Sequence, residues 1–244
     1  MDDLFRALAT TGALPTAAAS ELRERGFVVV PGPAHGNGID LLVGAYEAAM
    51  TSATGEEIRV GSTSTKLSDL VNRGAVFDGL YVFPPLLDAC CLVIGRPFKL
   101  SSLQARTLRP RTSAQELHVD VPRNSPDFPL LGFIVMIDEF RSDNGATRFV
   151  PGSHRWPGSP AEILSDPRAL YDGEVVACGS AGSLLVFSGS AWHGHGANSS
   201  SAPRRSIQGA FIPRDGNAAV DFAARMQPET HERLSPLARY LLSI

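Results

Sequence analysis

Only three cysteines occur in the 244-residue chain, Cys90, Cys91 and Cys178, and no pair of them has metal-site spacing. Adjacent Cys90 and Cys91 cannot readily bridge each other. A disulfide framework and a cysteine-ligated zinc site are therefore excluded, and all three read as reduced core residues. No sign of charge dominates: 22 Lys and Arg against 25 Asp and Glu leave −3 at pH 7, with no basic stripe. Nucleic acid is not an expected partner. Long hydrophobic runs are lacking too. The most apolar stretch, 80–95, is interrupted by Pro84, Pro85 and Asp88 and falls short of a membrane span. Residues 1–16 carry two acids at once and no basic start ahead of an apolar run, so they do not read as a secretory signal. A soluble, cytoplasmic protein without membrane contact is expected. Lysine is scarce as well, since Lys66 and Lys99 are the only two.

What is present suffices for a substantial core: 43% of the residues are hydrophobic and 19% charged. No Pro/Ser/Gly-rich linker divides the chain, so one domain over 1–244 is expected. It comprises a helical or mixed part to about 97, a strand-rich core over about 98–213 and a tail with helix over 214–244. The good helix formers of 16–25 end at Gly26, and 27–30 reads as a short buried strand. A second helix is expected over about 38–52, where Ile39, Leu42, Val43, Tyr46 and Met50 recur at helical spacing. A third candidate, 67–72 and onward through 80–93, is broken by the double proline. Beyond Pro97 the segments 99–108, 131–137, 146–150, 174–177, 183–187 and 206–212 are β-prone and punctuated by Gly, Pro, Asn and Asp. Six or more strands without long intervening helices point to a sandwich or barrel.

Chemistry enters with His118-Val119-Asp120. A His and an Asp two apart on an extended segment project to the same side and offer a nitrogen and a carboxylate oxygen to one metal. The segment WHGHGANSSSAPRRS, starting at Trp192, adds His193. Two histidines and one carboxylate leave about three coordination positions open, which suits Fe(II) binding a chelating cosubstrate together with O2. A structural zinc site would be closed by four ligands. On a strand, Arg204 and Ser206 share one side and Arg205 faces the other, and a guanidinium beside a hydroxyl seats a carboxylate. His193-Gly-His195 presents two imidazoles on one face. The distance to Pro203-Arg204 favours His193 as the ligand, with His195 near the entrance or hydrogen-bonded around the metal site.

Together, ELRERGFVVVPG from Glu21, the pair His118/Asp120, DNGATRFVPGSHRW from Asp143 and WHGHGANSSSAPRRS make the chain resemble the phytanoyl-CoA dioxygenase family of Fe(II)/2-oxoglutarate-dependent oxygenases. The resemblance spans roughly 21–213. It implies a double-stranded β-helix (jelly roll, cupin-like) with helices packed outside. It implies that His118, Asp120 and His193 hold the iron, that Arg204 binds the 2-oxoglutarate C5 carboxylate, and that Ser206 is its second donor. The implied reaction hydroxylates a C–H bond of a small organic molecule while 2-oxoglutarate is decarboxylated to succinate and CO2. Desaturation, epoxidation or rearrangement by the same oxidant is the alternative, and a non-catalytic metal- or carboxylate-binding jelly roll is a second one. Asp120 argues against halogenation, because halogenases resembling the family carry a small residue there.

Gln104 and Arg106 share a strand face toward the barrel mouth. Gln104 is assigned to cosubstrate binding with Arg204 and Ser206. Arg106 is open between an internal ion pair and a substrate or cosubstrate contact. Arg109, Arg111 and Arg123 suit an acidic or carrier-tethered substrate, or a solvated surface. Lys66, in the polar stretch GSTSTKLSD, reads as a solvated loop residue, with a lid over the pocket as the other possibility. His154 reads as structural, His35 and His231 as surface, Trp192 as packing and Asn198 as a turn residue. Gly145 and Gly152 are expected at positive φ. The substrate pocket is expected to draw on 60–83 and 120–128.

Overall fold

The computed structural model describes residues 2–8, 11–167 and 169–244. Among these, ten strands appear in chain order: β1 (Phe27–Pro31), β2 (Ile58–Val60), β3 (Ser64–Leu67), β4 (Phe98–Leu108), β5 (Leu131–Met136), β6 (Thr147–Phe149), β7 (Val175–Ala177), β8 (Ser183–Ser188), β9 (His193–His195) and β10 (Arg204–Pro213). Seven form one antiparallel sheet in the order β1-β8-β5-β10-β4-β3-β2, and three form a smaller sheet, β7-β6-β9. The segment 112–118 extends the small sheet beyond β9. Thr112 pairs with Asn198 and His118 with His193, and the Gln115 N–H donates to the His195 carbonyl at 2.9 Å.

Side-chain alternation divides the large sheet between two environments. Phe133 and Val135 of β5, Leu184 and Val186 of β8, Ala105 of β4 and Ile207 of β10 point outward into a core shared with the helices. Ile134, Met136, Leu185 and Phe187 alternate with them and point inward, meeting Phe27, Phe140 and Phe149 in a second cluster. The two sheets thus face each other as a jelly roll with helices on the outer face of the larger one.

The helices of the N-terminal half are α1 (Asp2–Leu8), α2 (Thr16–Arg25), α3 (Ile39–Ser52), α4 (Ala75–Tyr81) and α5 (Pro84–Ile94). Helix α2 ends as its sequence dictates: Gly26 takes φ 86° and its N–H donates to the Leu22 carbonyl. The break expected at the double proline falls there: α4 ends at Tyr81, and Pro84 and Pro85 occupy the first turn of α5, where a missing N–H costs nothing. Helices α4 and α5 are of 7 and 11 residues, each too short to cross a bilayer, and Leu80, Tyr81, Leu86, Leu87 and Cys90 are buried in the helix-facing core.

Two expectations need correction. The β2–β3 hairpin lies in a half the sequence marks as mostly helical, because its residues are polar and short of apolar alternation. The tail expected to carry helix, 214–244, holds α7 (Phe222–Arg225), α8 (Pro228–Arg233) and α9 (Pro236–Leu242), after the short α6 (Pro160–Ile163). Cys90 is buried, but Cys178 is exposed just beyond β7, so not all the cysteines are core residues.

Candidate active site

His118, Asp120 and His193 converge at the open end between the sheets. The His118 N–H donates to the His193 carbonyl at 2.9 Å and the His193 N–H to the His118 carbonyl at 3.0 Å, which sets the two rings side by side with centroids 4.4 Å apart. The His193 ring is buried against Phe149 and Phe187. Each imidazole is fixed by a backbone carbonyl: His118 Nδ1 lies 3.1 Å from the Glu116 oxygen, and His193 Nδ1 lies 3.0 Å from the Ala191 oxygen. With both Nδ1–H groups donating, both Nε2 atoms present lone pairs inward. They stand 3.7 and 3.6 Å from the same oxygen, Oδ1 of Asp120. Asp120 is held in turn by its N–H, which donates to the Gly189 carbonyl at 2.8 Å. Burial, and then the neighbouring His193, hold the His118 pKa below the ordinary imidazole value. The neutral ring is therefore favoured, which is the form that ligates a metal.

These three side chains border a cavity of about 240 Å³. The small sheet and the segment 112–120 supply the triad, His195 and Thr147, while the large sheet supplies Lys66, Gln104, Arg106, Arg204 and Gln208. Arg204 is 1% exposed, its guanidinium carbon lies 4.0 Å from the Phe140 ring centroid, and its Nε and Nη1 have no hydrogen-bond partner among the described residues. Burial, and then the nearby Arg106, push its pKa down to about 9, so the group is still charged at neutral pH. A buried cation with unused donors fits an anionic ligand.

Ser206 lies on the inward face beside Arg204, but its hydroxyl donates to the Arg106 carbonyl at 3.4 Å and it is not among the cavity-lining residues. Its expected pairing with a carboxylate beside Arg204 is not prepared in this geometry, since the hydroxyl is engaged by the neighbouring strand. Arg205 faces outward, pairs with Asp138 at 2.6 Å and also meets Glu47. Gln104 lines the cavity opposite Gln208.

His195 also lines the cavity without joining the triad. Its Nδ1 lies 2.9 Å from the Gly196 carbonyl oxygen and its Nε2 3.2 Å from Thr63 Oγ1, so both ring nitrogens are engaged. Burial pushes its pKa down to about 4. Lys66 is no solvated loop residue: it lies on β3, half-buried and facing the cavity. Arg109 donates to the Gly61 and Ser62 carbonyls and Arg123 to the His154 carbonyl, so neither contributes to the cavity. His154 accepts a structural place, its Nε2 3.2 Å from the Arg23 carbonyl oxygen. His35 and His231 are exposed, Trp192 is buried, and Asn198 donates to the Arg109 and Ala202 carbonyls. Gly145 and Gly152 take φ 81° and 80°. Of the stretches expected to line the substrate pocket, only Lys66 and Asp120 do so. Gln115, Thr147 and Gln208 went unmarked in the sequence. Gln208 alone carried a signal there, being two residues past Ser206 on an alternating strand.

The phytanoyl-CoA dioxygenase (PhyH) family matches residues 22–206. The dioxygenase trt7 of Aspergillus terreus (strain NIH 2624 / FGSC A1156) is 30% identical over 211 residues, which is 80% of this chain and 71% of trt7. The dioxygenase cdmA of Talaromyces verruculosus is 37% identical over 111 residues, which is 41% of this chain but only 35% of cdmA, so that likeness spans about a third of the relative's length. Among solved structures, the epimerase SnoN in complex with Fe3+, alpha ketoglutarate and nogalamycin RO shares the fold with a TM-score of 0.64 and 22% identity, over 81% of this chain and 82% of SnoN. With the family's pattern running through most of its length, from α2 to the first residues of β10, the chain belongs to the phytanoyl-CoA dioxygenase family.

Proposed function

We propose that this protein is an Fe(II)/2-oxoglutarate-dependent dioxygenase that hydroxylates a C–H bond of a small organic molecule. The observation that carries the reading is the pairing of two inward-facing Nε2 atoms on one Asp120 oxygen with a buried Arg204 guanidinium whose Nε and Nη1 have no hydrogen-bond partner among the described residues. His118, Asp120 and His193 would hold Fe(II) through two neutral nitrogens and one carboxylate oxygen, a donor set that leaves positions for a chelating cosubstrate and O2. Arg204 would take the far carboxylate of 2-oxoglutarate by charge-assisted hydrogen bonds, and Gln104 is available as a further amide contact. Iron held there would supply O2 activation, one oxygen atom going to 2-oxoglutarate as it becomes succinate and CO2 and the other to the substrate C–H bond.

The residues around the metal perform the orienting work. The Glu116 and Ala191 carbonyls fix the two rings, and the Gly189 carbonyl fixes Asp120. Phe149 and Phe187 exclude water from one side of His193. Asp120 fills the position that a halide would need, which favours hydroxylation over halogenation. SnoN, named an epimerase, shows that this fold also serves other outcomes, so the product must be identified by its mass.

Anaerobic addition of Fe(II) and 2-oxoglutarate is the test. A weak visible charge-transfer band requiring both additions is expected, and aerobic turnover should yield succinate. The absence of both the band and 2-oxoglutarate binding would overturn the reading. Binding without any succinate would favour the non-catalytic jelly roll.

A further inference from the structure

The cavity has two unlike ends, and the register of the large sheet gives each its residues. Along β10 the inward-facing positions meet β4 as Arg204 with Leu108, Ser206 with Arg106, Gln208 with Gln104 and Ala210 with Ser102. The first pair and the last are about 20 Å apart along the strand. On β3, Lys66 pairs directly with Arg106. The three cations that line the cavity among the described residues, Arg204, Arg106 and Lys66, therefore all sit in the first two rows. That is the end at which Arg204 would take the far carboxylate of the cosubstrate.

The other end has walls of a different kind. Leu130, Ile134 and Phe187 line it with apolar surface, and Ser102, Gln104 and Gln208 are polar but uncharged. The Phe187 ring packs on His193 with centroids 4.7 Å apart and covers Gly132, where a Cβ would lie 2.3 Å from it. Gly132, Ala210 and Ser102 form one row across β5, β10 and β4, so this row is level with the His193 ring. Ala210 puts only a methyl group on the floor there. Asp120 is tied to the same end: its N–H donates to the Gly189 carbonyl and the Gly189 N–H to the Leu130 carbonyl, each at 2.8 Å. A divalent iron would be offset by Asp120 and by the chelating carboxylate of the cosubstrate. No positive charge is then left at this end to compensate a second buried acid.

Gln208 stands between the two ends, with Gln104 on one side and Ile134 on the other. It is half-buried, and its side-chain amide makes no hydrogen bond among the described residues. An amide offers two N–H donors and an acceptor oxygen, and leaving them unmet away from water is costly. A carbonyl or hydroxyl oxygen meets that demand without bringing a charge.

Resting on the oxygenase reading above, we infer that the substrate is an uncharged, largely apolar molecule bearing a carbonyl or hydroxyl oxygen. Its body lies over Ala210 between Leu130 and Phe187, and its oxygen is held by the Gln208 amide. Gln208 is thereby a specificity-determining residue, since the point at which the substrate is tethered decides which C–H bond faces the metal. Ala210 sets the bulk that fits.

The test uses the intact protein loaded anaerobically with Fe(II) and 2-oxoglutarate, and two probe pairs of equal shape: benzylacetone with hydrocinnamate, and pentyl methyl ketone with hexanoate. Perturbation of the visible band and the thermal midpoint report binding. At least one ketone is expected to bind about tenfold or more tightly than its acid. Gln208→Leu, close in size but without the polar atoms, should weaken that ketone about fivefold while the 2-oxoglutarate affinity stays within about twofold. Ala210→Leu should abolish ketone binding and keep the band, which also shows that the variant has folded. Ser102→Leu, on the neighbouring strand, probes the same floor independently. An acid that binds as tightly as its ketone, or no binding of either ketone, would overturn the inference. So would unchanged ketone binding in Gln208→Leu. Loss of 2-oxoglutarate affinity in that variant would reassign Gln208 to the cosubstrate and overturn it too. Failure of the wild-type protein to give any band would instead count against the oxygenase reading itself.

Discussion

Arg204 and Arg205, consecutive on β10, send their guanidinium groups to opposite sides of the large sheet: the first stacks on Phe140 at 4.0 Å, and the second pairs with Asp138 at 2.6 Å. Equal substitutions should therefore have unlike effects. Arg204→Ala is expected to weaken 2-oxoglutarate binding by well over tenfold, a loss of about 2–5 kcal/mol for a buried charged partner, with iron affinity nearly intact. Arg204→Lys should recover part of it, since an ammonium keeps the charge and loses the planar fork. Arg205→Ala should leave 2-oxoglutarate binding nearly unchanged and cost about 1 kcal/mol of stability through the lost contacts to Asp138 and Glu47. Calorimetric titration with 2-oxoglutarate and urea unfolding separate the two. A larger loss of cosubstrate affinity in Arg205→Ala would refute the facing of this strand.

The two histidines of β9 make a second contrast. His193→Ala should abolish tight iron binding, because it removes one of the two Nε2 atoms facing Asp120. His195→Ala should keep the metal and lose the ring's contacts to Thr63 and the Gly196 carbonyl, reducing rate at most several-fold. Metal content after anaerobic loading and desalting decides the matter. Iron lost from His195→Ala alone would shift the ligand assignment by two residues.

The lowered pKa of His118 gives a pH dependence with a definite sign. Protons compete with a metal only when the imidazole is protonated, and a depressed pKa moves that competition to lower pH. Iron affinity should therefore hold to a lower pH than two ordinary histidines, each half protonated near pH 6.5, would allow. It should fall only on further acidification. A titration series with Fe(II) across this range, followed by the fluorescence of Trp192 and Trp156, measures it. A decline already beginning above pH 7 would contradict the shift.

Away from the metal, Arg148 of β6 is 2% exposed, pairs with Glu174 at 3.1 Å and donates to the Gln115 carbonyl at 2.8 Å. It ties the segment leading to His118 onto the small sheet. Arg148→Met leaves the half-buried Glu174 with only the Tyr171 N–H and should cost about 3 kcal/mol. That exceeds the expected cost of Arg205→Ala. Urea unfolding midpoints of the two variants provide the comparison, and equal midpoints would count against a special role for this pair.

The legible parts of this protein were those where one physical signal dominates. Helix α2 follows its sequence from Thr16 to Arg25 because good helix formers run into a glycine, and the strands of the large sheet follow their apolar runs because both of their faces are buried. The triad was legible because motif and spacing together specify it. Lys66 was not, since β3 turns a polar face to the cavity and a polar run reads the same on a strand as on a loop. Nor could the sequence give the true partner of Ser206, because that depends on the register of β10 against β4, where Ser206 falls opposite Arg106. The turn at Gly145 was legible from glycine alone. Its reason is local first, a φ of 81° that L side chains rarely adopt, and the Gly196 carbonyl oxygen 3.2 Å from where a Cβ would lie adds to it.

The cavity has walls of separate origin: the triad comes from the small sheet and the segment beside it, and Gln104, Arg106 and Gln208 come from two adjacent strands of the large one. What the cavity accepts can therefore be rewritten at inward-facing residues such as Gln208, while the triad and Arg204 stay untouched. The outward-facing neighbours of those residues, Leu103, Ala105 and Ile207, hold the sheet against the helices throughout. Changes of diet in this scaffold thus need no intermediate that has lost its reactivity, and a lineage can try new molecules while remaining an active catalyst.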